Sequence, residues 1–117
     1  RISIQPLVEN SLQHGLRNKH GEKRIWIRGV LEDNNIVISV IDNGIGMNAE
    51  LINSSLENPN SDVLEKESSI GLNNINTRVK LLFGSNYGIR VYSENGKGSK
   101  VSLYIPHIYT DSDAEES

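Results

Sequence analysis

The chain has 117 residues, of which 36% are hydrophobic and 23% charged, with a formal net charge of −3 and no cysteine. That length supports one domain with one modest core, and the composition is that of an ordinary globular protein. The charge lacks the basic excess of a nucleic-acid binder, and the missing thiols exclude disulfides and cysteine-ligated metals. No apolar run approaches the roughly 18 residues of a membrane-spanning helix, and no signal-peptide pattern is present.

Pro6 suits the first turn of a helix, where its missing N–H costs nothing. Val8, Leu12 and Leu16 then recur at i, i+4 and i+8 and predict an apolar stripe, with Asn10, Gln13, His14 and Arg17 on one polar face opposite. The chain opens at Arg1 without methionine and enters this helix almost at once, which points to an excised piece. Asn18 to Glu22 reads as a loop. Two Ile- and Val-rich stretches, 24–32 and 36–41, flank Asp33-Asn34-Asn35 and predict a β-hairpin. The polar stretch 43–69 reads as a long loop with a short helix after Met47, and long loops in compact domains are commonly functional. A second helix follows Gly71, with a predicted buried stripe of Leu72, Ile75, Val79 and Leu82 and with Gly84 as its C-terminal cap. Two closing strands, about 88–93 and 99–105, are joined by a glycine-containing turn, and Val101, Leu103 and Ile105 mark the last strand's buried face. The expected architecture is a two-layer α+β domain over residues 1–106. An acidic tail, 107–117, carries Asp111, Asp113, Glu115 and Glu116 and is expected to be disordered.

Three segments carry chemistry. Asp42-Asn43-Gly44-Ile45-Gly46-Met47 closes an apolar strand with a carboxylate that can accept from an exocyclic amine, and its glycines allow close backbone approach to a flat ligand. The same residues also make an ordinary turn. Asn10, Gln13 and His14 offer a carboxamide oxygen of the kind that suits Mg²⁺ and an imidazole that can donate to phosphate; a solvated helix face has the same look. Ser68-Ser69-Ile70-Gly71-Leu72-Asn73-Asn74-Ile75 enters a helix whose free N–H groups suit an anion, although a routine N-cap by Ser68 or Ser69 has the same appearance. No Gly-x-x-x-x-Gly-Lys-[Ser/Thr] motif is present, which excludes a P-loop.

In order and spacing these segments resemble the ATP-binding catalytic domain of sensor histidine kinases, in the superfamily shared with DNA gyrase, Hsp90 and MutL. The stretch from Gln5 to Gly15 looks like the asparagine box of LytS- and YesM-like kinases. Asp42 to Met47 looks like the first glycine box, Ile70 to Ile75 like the second, and Gly96-Lys97-Gly98-Ser99 like the closing signature. The resemblance implies a two-layer Bergerat-type fold with a mixed, mostly antiparallel sheet, here lacking N-terminal strands. It implies that Asp42 accepts from the adenine amino group and that Asn10 holds Mg²⁺ against the phosphates. His14 would donate to a phosphate. Gly44 and Gly46 would line the pocket and let a lid at about 47–69 hinge. Ile70, Gly71 and Leu72 would approach the phosphates, and Ser99 would stand near adenine where threonine is usual. ATP and Mg²⁺ are the implied ligands. The implied partners are a histidine-bearing dimerisation domain upstream and, indirectly, a response regulator. The implied location is the cytoplasmic side of a parent anchored in the bacterial cell membrane.

The sequence departs from this pattern at Gln13, where many relatives carry a cation, and in the single glycine of the second box. The rival readings are a gyrase- or Hsp90-like ATPase and a degenerate interaction module. The ATPases place a glutamate as general base four residues before the asparagine, and that position here is Pro6.

Overall fold

The computed structural model describes residues 4–17, 19–57, 70–94 and 96–107. Helix α1 (Gln5–Asn10) runs into a π-helical turn, Ser11–Gly15. Strands β1 (Ile25–Glu32) and β2 (Asn35–Asp42) precede helices α2 (Ala49–Glu57) and α3 (Ile70–Phe83), and strands β3 (Gly88–Glu94) and β4 (Gly98–Pro106) close the chain. The sheet order is β1-β2-β4-β3. Each of its three pairings is antiparallel, so the mixed sheet expected from the resemblance has no parallel pair among the described residues.

The β1–β2 hairpin turns through Asp33 and Asn34, both at positive φ (51° and 64°), so two residues suffice and Asn35 already pairs with Glu32. Asn and Asp tolerate this left-handed backbone, and such a turn matches the strand twist. Alternation then assigns the faces. Val40 pairs with Val101 and Val101 with Val91, and this buried row receives Leu7 from α1, Ile52 and Leu56 from α2, and Leu72, Ile75 and Val79 from α3. On the opposite face Arg28, Ser39, Ser102 and Arg90 form one cross-strand row, whose two serine hydroxyls bond at 2.7 Å. Lys100 sits over the Tyr92 ring on that face, and the Tyr92 and Tyr104 hydroxyls are 2.9 Å apart. β1 is an edge strand, and Trp26, Ile27, Val30 and Leu31 are all exposed.

The other edge is managed by side chains. Among the described residues β3 has no strand beyond it, and the α2 residue Asn53 bonds both the N–H and the carbonyl of Val91, each at 2.8 Å. Asn76 of α3 accepts from the Ile89 N–H at 2.8 Å and donates to the Leu56 carbonyl at 3.2 Å. Two carboxamides thus take the place of a neighbouring strand, and they lock α2 and α3 to the sheet.

Two expectations need correction. The first helix buries Leu7, Asn10, Ser11 and Leu16, while Leu12 is 53% exposed and Val8 only partly covered. In a regular α-helix Leu7 and Leu16 would stand about 180° apart. The π turn, marked by the Leu16 N–H reaching the Ser11 carbonyl at 2.8 Å, absorbs one extra residue and rotates Leu16 back towards the core. Asn10, three residues after Leu7, lies on the same buried face, away from exposed Gln13 and Arg17. In α3, Leu82 is 61% exposed, and Phe83 takes the expected packing role against the core. The short helix expected after Met47 is α2, whose Ile52 and Leu56 are core residues; 58–69 lies outside the described residues. The acidic tail beyond His107 also lies outside them. Gly84 does cap α3, at φ 112° with its N–H on the Lys80 carbonyl at 2.9 Å.

Candidate functional site

The apolar alternation of β2 ends on Asp42, whose side chain shares the core face with Val40 and is 2% exposed. Ser99 of β4 stands directly across from it and is equally enclosed. Its hydroxyl donates to Asp42 Oδ2 at 2.8 Å, and the Gly44 N–H donates to Oδ1 at 2.9 Å. Each carboxylate oxygen has two acceptor positions and here receives one bond. Acceptor capacity therefore remains at a buried carboxylate, and an exocyclic amine matches it in kind.

The loop after Asp42 is fastened on both sides. Asn43 accepts from the Arg24 N–H at 2.8 Å and donates to the Glu22 carbonyl at 3.0 Å, which ties the loop to the approach of β1. On the other side the Gly96 N–H reaches the Ile45 carbonyl at 2.8 Å, and the Met47 N–H reaches Ser93 Oγ at 2.8 Å. Gly46 has φ +87°, and a Cβ there would lie 2.7 Å from the Glu94 carbonyl oxygen. The β3–β4 turn thus approaches Gly46 closely enough to require glycine there. Gly98, at φ +109°, presses against the Asp42 carbonyl oxygen and leaves no room for a side chain.

The remaining predicted residues lie on the helices. Asn10 is 5% exposed, at the end of α1, and His14 is half-buried in the π turn. That turn packs on β2 and β4, the strands that carry Asp42 and Ser99, while α1 packs on α3. Gly71 lies in the first turn of α3, and a Cβ on it would meet Pro6 Cβ at 3.5 Å, an ordinary contact. Leu72 is a core side chain, 1% exposed, so only its backbone can face a ligand. Ile70 opens α3, and Ser68 and Ser69 lie outside the described residues. The structure thus joins Asp42, Gly44 and Ser99 in one hydrogen-bonded cluster, with Gly46 on the same loop and Asn10, His14 and Gly71 on flanking helices.

Mg²⁺ commonly takes one or two protein oxygens and leaves its other positions to water and substrate phosphates. Among the described residues no group of three His, Cys, Asp or Glu side chains converges, so a resident multi-carboxylate site is not offered. A single carboxamide such as Asn10 fits a metal that is held mainly by phosphates.

Sequence reasoning missed Ser11, Asn43 and Ser93. Ser11 is fully buried and its hydroxyl has no hydrogen-bond partner. Asn43 was legible only as a turn former. Ser93 carried no signal beyond being the last strand residue before Glu94-Asn95-Gly96.

A two-layer domain with a buried aspartate at the end of a central strand and glycine loops beside it belongs to the class of nucleotide-binding ATPase folds. Residues 1–108 match the family of histidine kinase-, DNA gyrase B- and HSP90-like ATPases, and the chain belongs to that family. The sensor histidine kinase YesM of Bacillus subtilis (strain 168) is 33% identical over 106 residues, which cover 91% of this chain and 17% of that protein. The sensor protein kinase HptS of Staphylococcus aureus (strain USA300) is 29% identical over 106 residues, covering 91% of this chain and 20% of its own length. The chain therefore spans about a fifth of the relatives it matches. Among solved structures, the histidine kinase domain of the Erythrobacter litoralis EL346 blue-light activated histidine kinase superposes with a TM-score of 0.53. That match has 17% identity and covers 88% of this chain and 41% of that one, which supports the fold.

Proposed function

We propose that this domain binds MgATP and presents the γ-phosphate to a histidine on a separate dimerisation domain of a two-component sensor kinase. The observation that carries the reading is the buried Asp42 carboxylate, fixed by Ser99 and Gly44 with acceptor capacity to spare. Adenine's amino group would donate there. Guanine offers a carbonyl at the same position and would leave two acceptors facing each other, so ATP is selected over GTP. Asn10 would hold Mg²⁺ against the phosphates, and the metal would offset their charge. His14 would donate to a phosphate oxygen, and the backbone at Ile70, Gly71 and Leu72 would approach the phosphates at the positive end of α3.

Transfer is an in-line displacement. An imidazole nitrogen of the acceptor attacks the γ-phosphorus, the bond to the β-bridging oxygen breaks, and ADP leaves with the electron pair while the imidazole loses its proton. Positioning does most of the work in such a reaction, so a domain that only holds nucleotide is sufficient on the donor side. Hydrolysis is the weaker reading. Pro6 occupies the position of the ATPases' general base, and Glu9 is exposed and accepts from the Gln5 side chain at 2.9 Å. The parent would be a membrane-anchored kinase that passes phosphate on to a response regulator.

The test mixes the chain with its parent's histidine-bearing dimerisation domain and γ-labelled ATP. Acid-labile label on that domain, with none on this chain, supports the proposal. Phosphate release without transfer would favour the ATPase reading.

A further inference from the structure

One hydroxyl outside the predicted site holds three parts of it together. Ser93 is the penultimate residue of β3, directly opposite Ser99, and is half-buried. Its Oγ accepts the Met47 N–H at 2.8 Å and donates to the Gly98 carbonyl at 2.9 Å. The exit of the Asp42 loop, the end of β3 and the start of β4 therefore meet at a single oxygen atom.

The surroundings leave this junction little slack. A Cβ on Gly46 would stand 3.0 Å from Ser93 Oγ and 2.7 Å from the Glu94 carbonyl oxygen, so the loop passes the strand at backbone distance. Gly98 is pressed against the Asp42 carbonyl oxygen from the other side. Upstream, the loop is held by Asp42 itself, through the Gly44 N–H and the Ser99 hydroxyl. Downstream, Gly96 N–H to Ile45 carbonyl is the other tie, and it is backbone to backbone. Among the described residues Ser93 thus joins Asp42 as a side chain that bonds both the loop and the strand bearing Ser99, and it does so at the loop's far end.

We propose that Ser93 is a positioning residue for nucleotide recognition, setting the path of the loop from Gly44 to Met47 and with it the acceptor geometry at Asp42. The inference rests on the adenine reading of Asp42. Ser93 touches no nucleotide in this account; it acts through the loop. Its loss leaves the Met47 N–H and the Gly98 carbonyl without their shared partner, and the loop relaxes to satisfy them elsewhere.

Serine-to-threonine and serine-to-valine changes in the 117-residue chain separate positioning from bulk. The two new side chains have nearly the same shape, both favour strands, and only threonine keeps the hydroxyl. Three quantities are read: hydrogen exchange of the Met47 amide, affinity for a non-hydrolysable ATP analogue with Mg²⁺, and the preference for that analogue over GTP. The expected result is that Ser93→Val loses Met47 protection, binds about tenfold more weakly and discriminates less between the bases, whereas Ser93→Thr matches the wild type. A folded Ser93→Val protein with wild-type affinity and base preference overturns the positioning role alone. Absence of nucleotide binding by the wild type, with its Met47 amide protected, overturns the adenine reading and this role with it.

Discussion

Replacing Gly98 with alanine drives a Cβ against the Asp42 carbonyl oxygen and to 3.1 Å from the Asn43 Cα, at a φ of +109°. Gly84 provides the matched control, because its φ is +112° and nothing lies within 4 Å of its Cβ position. Both substitutions carry the torsional cost of a side chain at positive φ, about 1–3 kcal/mol. Only Gly98→Ala adds the displacement of packed backbone, a further 1–3 kcal/mol or so by analogy with overpacked cores. The expected gap between the two variants is about 2 kcal/mol. At roughly 4–8 °C per kcal/mol for a domain of this size, that is about 8–16 °C in Tm. The site should respond in the same order. Gly98 bears on the carbonyl of Asp42, the residue proposed to read adenine, whereas Gly84 precedes the opposite end of β3. Thermal unfolding by circular dichroism and titration with an ATP analogue, on both variants, check the two parts. Equal destabilisation, or wild-type affinity in a folded Gly98→Ala protein, would refute the claim that this turn grips the Asp42 loop.

Other consequences are as specific. Ser11→Ala removes a buried hydroxyl that has no partner, so stability should stay level or rise by up to about 1 kcal/mol in urea unfolding; a loss larger than that would mean the hydroxyl is satisfied. Asn53→Ala strips both partners from Val91 on the β3 edge and should cost about 1–3 kcal/mol, read the same way, with a loss below 0.5 kcal/mol or so contradicting the capping role. Burial, followed by the hydrogen bond to Tyr92, pushes the Tyr104 phenol up from 10.0 to about 12. The neutral form is the one the fold favours, so this contribution is full below pH 10 and is lost as pH rises to about 12. Urea unfolding across that window should show a falling stability whose slope is reduced in Tyr104→Phe; an unchanged slope would place the effect elsewhere.

Where local chemistry and global packing agree, the fold was legible. The β1–β2 hairpin follows from Asp33-Asn34, two residues suited to positive φ between β-branched runs, and the α3 cap follows from Gly84. Asp42 stood out because a carboxylate ends an apolar strand, whereas Ser99 was marked only by the resemblance of Gly96-Lys97-Gly98-Ser99 to the family's closing signature. The first helix misled because its spacing of four residues reads as a regular α-helix. Asn10 and Ser11 follow Leu7 at i+3 and i+4 and share its buried face, which leaves Leu12 exposed, and the π turn then shifts the frame by one residue to return Leu16 to the core. A single π turn is announced by no residue type, and it breaks the regular spacing from which a helix face is read. Helix α2 was legible only as a short helix after Met47, without bounds, because its buried set is Ile52, Ser55 and Leu56, a short stripe within a polar stretch. The roles of Asn53, Asn76 and Ser93 are long-range, and their partners lie 38, 13 or 20, and 46 residues away in sequence. No window of local sequence contains such pairs.

The central claim is that Asp42 recognises the base of an adenine nucleotide. It is tested most directly by calorimetric titration of wild type and Asp42→Asn with a non-hydrolysable ATP analogue, with and without Mg²⁺, and with GTP as control. The account predicts saturable binding that prefers the adenine nucleotide, strengthens with Mg²⁺, and is abolished or severely weakened in a folded Asp42→Asn protein. Tight binding of the analogue by that variant, or no binding by the folded wild type, would contradict it.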